Sequence, residues 1–105
     1  ITADIKVRKE MTNPVRTLHG GMIAAIADEM IGATIATLEL PHVYVSVNLH
    51  TDFLFPVKEG ETVRAKSDIV RRGKNIIHTE CRLYNSENKL VAKASSNNIK
   101  INAEK

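Results

Sequence analysis

His19-Gly20-Gly21-Met22-Ile23-Ala24-Ala25-Ile26-Ala27-Asp28-Glu29-Met30-Ile31-Gly32-Ala33-Thr34-Ile35-Ala36-Thr37-Leu38 is the segment around which the other residues must be arranged. From Met22 to Leu38 twelve of seventeen residues are apolar, and only Asp28 and Glu29 carry charge. Apolar side chains fall on nearly every side of a 3.6-residue wheel, the pattern of a buried helix. At about 1.5 Å per residue the helix runs roughly 25 Å, enough to cross a small domain. Two adjacent acids at its midpoint interrupt the 18 or so apolar residues that a membrane span needs. So apolar a helix in a chain of 105 residues has to be wrapped by everything else.

Working outward, Ala3 to Lys9 alternates, with Ile5 and Val7 against Lys6 and Arg8, and reads as a short half-buried strand. Met11 to Leu18 is a polar connector in which Asn13-Pro14 marks a turn. After Leu40-Pro41-His42, the stretch Tyr44 to Phe55 alternates at length. Val45, Val47, Leu49, Thr51 and Phe53 would share one face of a strand, and Tyr44, Ser46, Asn48, His50 and Asp52 the other. Thr62 to Arg72, Asn75 to Asn85 and Leu90 to Ile101 read as three more strands. The turn Arg71-Arg72-Gly73-Lys74-Asn75, with Gly73 expected to take an awkward backbone angle, joins the first two. Strand, long helix, then an antiparallel meander is an α+β layout, a sheet of about five strands curled around a central helix.

The size fits one domain, residues 1–105. The chain opens on Ile1 rather than Met, which leaves room for residues upstream and keeps targeting open. A core this small cannot cover so hydrophobic a helix alone, so part of it is expected to lie against another subunit. The single Cys81 rules out an internal disulfide and fits a reducing, cytoplasmic setting. A formal charge of +3 suits a polyanionic small ligand or weak nucleic-acid contact without choosing between them. Nucleic acid is not the expected partner, because the aromatics that would stack on bases are missing from the basic segments. His19, His42, His50 and His78 have no metal-ligand spacing, so no metal is expected.

Two features carry possible chemistry. The first N–H groups of a helix lack internal partners and sit at the positive end of its dipole. Gly20 and Gly21 therefore either form a tight turn or present an N–H to an oxygen that becomes negative during reaction. Asp28 is either part of a solvated seam or a carboxylate kept on an apolar helix for a purpose. His19 lies nine residues before Asp28, about 900° of rotation and roughly 13 Å away, on the opposite side of the helix. If the glycines and the acid act together, the acid comes from a second copy of the helix.

Asn13, the His19-Gly20-Gly21 triplet six residues later and Asp28 nine beyond the His form a pattern, completed by Val45-Ser46-Val47-Asn48, by Pro56 before Gly60 and by the Arg-Gly-Lys hairpin. The pattern resembles the hot-dog-fold acyl-CoA thioesterases of the phenylacetic-acid-degradation (PaaI-like) type, from about Asp4 to Ile101. The resemblance implies hydrolysis of acyl-CoA to free acid and CoA, with coenzyme A only as part of the substrate and no further cofactor. It implies that the Gly21 N–H polarises the thioester carbonyl and that Asp28 of the neighbouring subunit is nucleophile or general base. Asn13 would position the thioester or water, assisted by Ser46. His19 and Gly20 would shape the substrate loop, and Arg71, Arg72, Gly73 and Lys74 would meet the CoA phosphates. A homodimer, paired into a tetramer, is implied as well. Many members have Gly where this chain has Arg16, and Glu29 directly follows Asp28 as a second acid. The alternative is a hot-dog domain that binds acyl-CoA without hydrolysing it, as a sensor or a module of a longer protein.

Overall fold

A computed structural model describes the backbone of residues 1–104 and the side chains of residues 1–101. The helix α1 spans Gly20–Ala36. Around it lie β1 (Thr2–Lys6), β2 (His42–Ser46), β3 (His50–Phe53), β4 (Thr62–Arg72), β5 (Ile76–Tyr84) and β6 (Leu90–Glu104). The six strands form one antiparallel sheet in the order β1-β4-β5-β6-β2, with β3 continuing the β2 edge along β6. This is the expected curled sheet around one helix, the hot-dog layout.

Alternation places every second residue of β4, β5 and β6 under the helix. Val63, Ala65, Cys81, Leu83, Ala92 and Ala94 are all sealed from solvent there. The helix lays Ile23, Ala27, Met30 and Ile31 on them, residues spaced three and four apart on one stripe. Its opposite side, including Ala25, Asp28, Gly32, Ala33 and Ala36, is exposed in the single chain. The expectation of burial on nearly all sides is therefore met by this chain on one stripe only.

Two expectations are corrected. Tyr44 to Phe55 is not one alternating strand. Ser46 faces Asn98 and His50 faces Ser95, so four steps on one strand oppose three on the other. The extra residue is a β-bulge, which offsets every side chain after it by one. Within it the Val47 N–H donates to the Asn97 carbonyl at 2.9 Å, and the Asn97 N–H donates to Asn48 Oδ1 at 2.9 Å, where a backbone carbonyl would otherwise accept. Tyr44 and Ser46 thus lie on the helix side, opposite Lys100 and Asn98, and so do Thr51 and Phe53, opposite Ala94 and Ala92. The supposed apolar face is split, and Val45, Val47 and Phe53 remain exposed.

Gly73 likewise does not supply an unusual backbone angle; Gly60, at φ 91°, is the glycine with positive φ. Gly73 is needed for space, since a Cβ there would stand 2.9 Å from the Ile76 carbonyl oxygen that its own N–H binds.

Candidate active site

The start of α1 is fixed by the loop before it. Asn13 Oδ1 accepts from the Val15 and Thr17 N–H groups, and its amide donates to Thr17 Oγ1 at 2.8 Å. This closes a turn in which Arg16 takes φ 64°. An L-residue is disfavoured in that conformation, which a glycine would adopt at less cost. The Arg16 side chain pairs with Glu59 at 2.9 Å across the adjoining loop. Backbone bonds from Leu18 to Val57 and from His19 to Met11 then set the direction in which the helix leaves.

His19 caps the helix: its Nδ1 accepts the Gly21 N–H at 2.8 Å. The bond requires a lone pair on Nδ1, which places the proton of the neutral ring on Nε2. A Cβ on Gly21 would stand 3.0 Å from that ring, so a larger residue there would have to shift the capping His19 by a few tenths of an ångström. The Gly21 N–H, expected to face the thioester, is thus engaged by His19. The Gly20 N–H makes no hydrogen bond among the described residues. It opens beside a pocket of about 340 Å³ walled by Leu18, Ile23, Phe53, Leu54, Phe55 and Pro56.

Asp28 lies in a different pocket, of about 460 Å³, on the β2 side of the helix. Glu29, Gly32, Tyr44, Ser46 and Asn98 line it with Asp28. The structure therefore puts Asp28 and Ser46 on one pocket and Gly20 on another, with His19 capping the helix start beside Gly21 and Asn13 folded into the loop before it. The two pockets share no lining residue. Glu29 also borders a third, apolar cleft between α1 and β1, with Ile5, Met22 and Met30. Arg71, Arg72 and Lys74 are exposed on the β4–β5 hairpin. That hairpin adjoins the Asp28 end of the sheet, because the Lys100 N–H binds the Asn75 carbonyl and Lys100 faces Tyr44.

Asn98 and Tyr44 were not singled out from the sequence. The signal for Asn98 was a polar residue in phase with the inward positions Ala92, Ala94 and Ser96 of an otherwise ordinary strand. Cys81 is sealed in the core, and burial pushes its thiol up to about 11. Among the described residues no group of three or more His, Cys, Asp or Glu is placed to hold a metal ion. None of their helices is long and apolar enough to cross a membrane.

This arrangement has relatives. The model of the thioesterase superfamily matches residues 16–92. Human acyl-coenzyme A thioesterase 13 is 30% identical over 93 residues, covering 88% of this chain but 66% of the relative. Thus the chain spans just under two thirds of that protein's length. The Escherichia coli PaaI protein of the phenylacetic acid degradation operon superposes with TM-score 0.85 at 23% identity, over 98% of this chain and 73% of the other. A Streptococcus mutans protein bound to acetyl-CoA superposes with TM-score 0.87 at 19% identity, over 100% and 83% respectively. At such identities the two superpositions establish the fold, and the family rests on the model match, which spans more than half of the sequence: the chain belongs to the thioesterase superfamily.

Proposed function

We propose that the protein hydrolyses acyl-CoA thioesters at sites shared between two copies of the chain. The observation that carries this reading is the division of the site. An unpartnered Gly20 N–H and the Asp28–Ser46 pair open into separate pockets, so a second copy is needed to bring the two together. The β2–β3 edge of the sheet, with exposed Val45, Val47 and Leu49, and the bare back of α1 supply the surface for that copy.

The thioester carbonyl oxygen accepts from the Gly20 N–H, whose effect is reinforced by the helix dipole as negative charge develops. Asn13 retains one amide hydrogen beyond its bond to Thr17 and places the thioester or water. Asp28 of the neighbouring copy acts in one of two ways. As general base it takes a proton from water while the water oxygen bonds to the carbonyl carbon; the C–S bond then breaks and the CoA thiolate recovers the proton. As nucleophile it forms a mixed anhydride with loss of the thiolate, and water then cleaves the anhydride. Arg71, Arg72 and Lys74 meet the CoA phosphates at the hairpin held tight by Gly73. The acyl group lies against the Phe53–Pro56 wall.

The test is thiol release from short, medium, long and aryl acyl-CoAs, with the oligomeric state measured on the same preparation. Saturable release by a dimer or tetramer is expected. Tight acyl-CoA binding with no release would make this a binding domain, and an active monomer would overturn the shared site.

A further inference from the structure

Asn98 is almost fully buried, at 3% exposure, yet it reaches the pocket that holds Asp28. Its position on β6, between Ser46 of β2 and Ile77 of β5, lets it touch both neighbouring strands. The amide nitrogen donates to the Ile77 carbonyl and to Thr79 Oγ1, each at 3.2 Å. A backbone carbonyl can only accept, so this bond fixes which end of the amide faces which way. The Asn98 oxygen must then face Ser46, whose Oγ stands 2.9 Å away. That oxygen can only accept, so the Ser46 hydroxyl hydrogen points at Asn98. Ser96 Oγ approaches Ser46 Oγ at 3.4 Å from the same side, again as donor. Thr79, having accepted from Asn98, passes its own hydrogen to the Ser96 carbonyl at 3.2 Å. The polarity of the chain runs one way from the Ile77 backbone to the pocket.

We infer that Asn98 is a positioning residue that makes Ser46 a hydrogen-bond acceptor toward the Asp28 pocket, so that Ser46 and Asp28 together orient the hydrolytic water. This rests on the hydrolytic reading above. A water donating one hydrogen to Ser46 Oγ and the other to the Asp28 carboxylate turns a lone pair to the carbonyl carbon. With the hydroxyl reversed, Ser46 would donate to that lone pair and blunt the attack. Direct hydrolysis and anhydride cleavage both contain such a water, so the device serves either route.

The experiment is a double-mutant cycle with acyl-CoA turnover as one readout and side-chain amide NMR as the other. Asn98→Leu, of similar volume, is expected to lower kcat about tenfold with KM for acyl-CoA changed less than about twofold. Ser46→Ala is expected to lower kcat by a similar factor alone and to add nothing in the Asn98→Leu background. Additive losses, a fall in affinity alone, or an unchanged kcat in folded Asn98→Leu would overturn the inference. The NMR arm needs no turnover and no folded Asn98→Leu. The Asn98 NH2 pair should exchange slowly with solvent and shift in Ser46→Ala but hardly in Asp28→Asn. Fast exchange, or indifference to Ser46→Ala, would overturn the polarity even in an active enzyme. A wild type that turns over no acyl-CoA while showing the protected pair would instead sink the hydrolytic reading.

Discussion

Asp28→Asn isolates a charge with almost no change in shape. Within one chain the residue is exposed, on the pocket that α1 shares with Tyr44, Ser46 and Asn98, so the packing of its own chain gives no reason for the stability of the fold to move. Asp and Asn have nearly the same helix propensity, and substitutions at such sites stay within about 0.5 kcal/mol. For a domain of this size that is a melting shift of no more than about 4 °C. The chemistry should respond very differently. An amide can neither take the proton of water nor attack a carbonyl, and loss of a general base lowers kcat by about 10²–10⁴-fold. The corresponding rise in barrier is about 3–5 kcal/mol, at least about fivefold larger than the stability change. The assay is initial-rate thiol release at saturating acyl-CoA, with melting temperatures on the same samples. Glu29→Gln is the companion variant: Glu29 also lines the Asp28 pocket but lies about 100° further round the helix, where it borders the β1 cleft too. It should leave kcat within about threefold. Near-normal turnover in folded Asp28→Asn would refute the assignment, and a collapse in Glu29→Gln alone would move the acid to Glu29.

The double substitution Val47→Asp/Leu49→Asp places like charges on the exposed β2–β3 edge; light scattering should show a monomer, and thiol release should disappear with the assembly. Glu39, just past the end of α1 at φ 51°, sits where glycine is favoured, so Glu39→Gly should raise stability by roughly 0.5–1 kcal/mol and melting by a few degrees. Gly73→Ala should destabilise by about 1 kcal/mol or more in urea melts, since its Cβ meets the Ile76 carbonyl in the turn. Cys81 should resist thiol reagents at neutral pH until the chain unfolds. Burial raises its folded pKa to about 11, so its contribution to stability is whole below the unfolded thiol pKa near 8.5 and is lost as pH rises from there toward 11. Urea midpoints that stay flat between pH 8 and 11 would contradict that sign.

What the sequence determined by itself was local. The apolar density of Met22 to Leu38 marked the helix, observed at Gly20–Ala36, because 3.6-residue periodicity is a property of one segment. Alternation marked β4, β5 and β6 for the same reason, and the spacing of Asn13, His19-Gly20-Gly21 and Asp28 pointed to the superfamily. What the tertiary structure alone decided involves groups that meet across the fold. The bulge at Val47–Asn48 depends on how β2 and β3 register on β6, some fifty residues later, and strict alternation of side chains could not reveal it. Which glycine N–H stays open depends on the angle at which the His19 ring folds back over the helix end. Asn98 entered the site only because three strands lie side by side, so that a single buried amide joins the Ile77 backbone to Ser46. The bare back of α1 has the same origin. A sequence shows that a surface is apolar, but whether the chain's own sheet can reach around to cover it is settled by the finite width of that sheet.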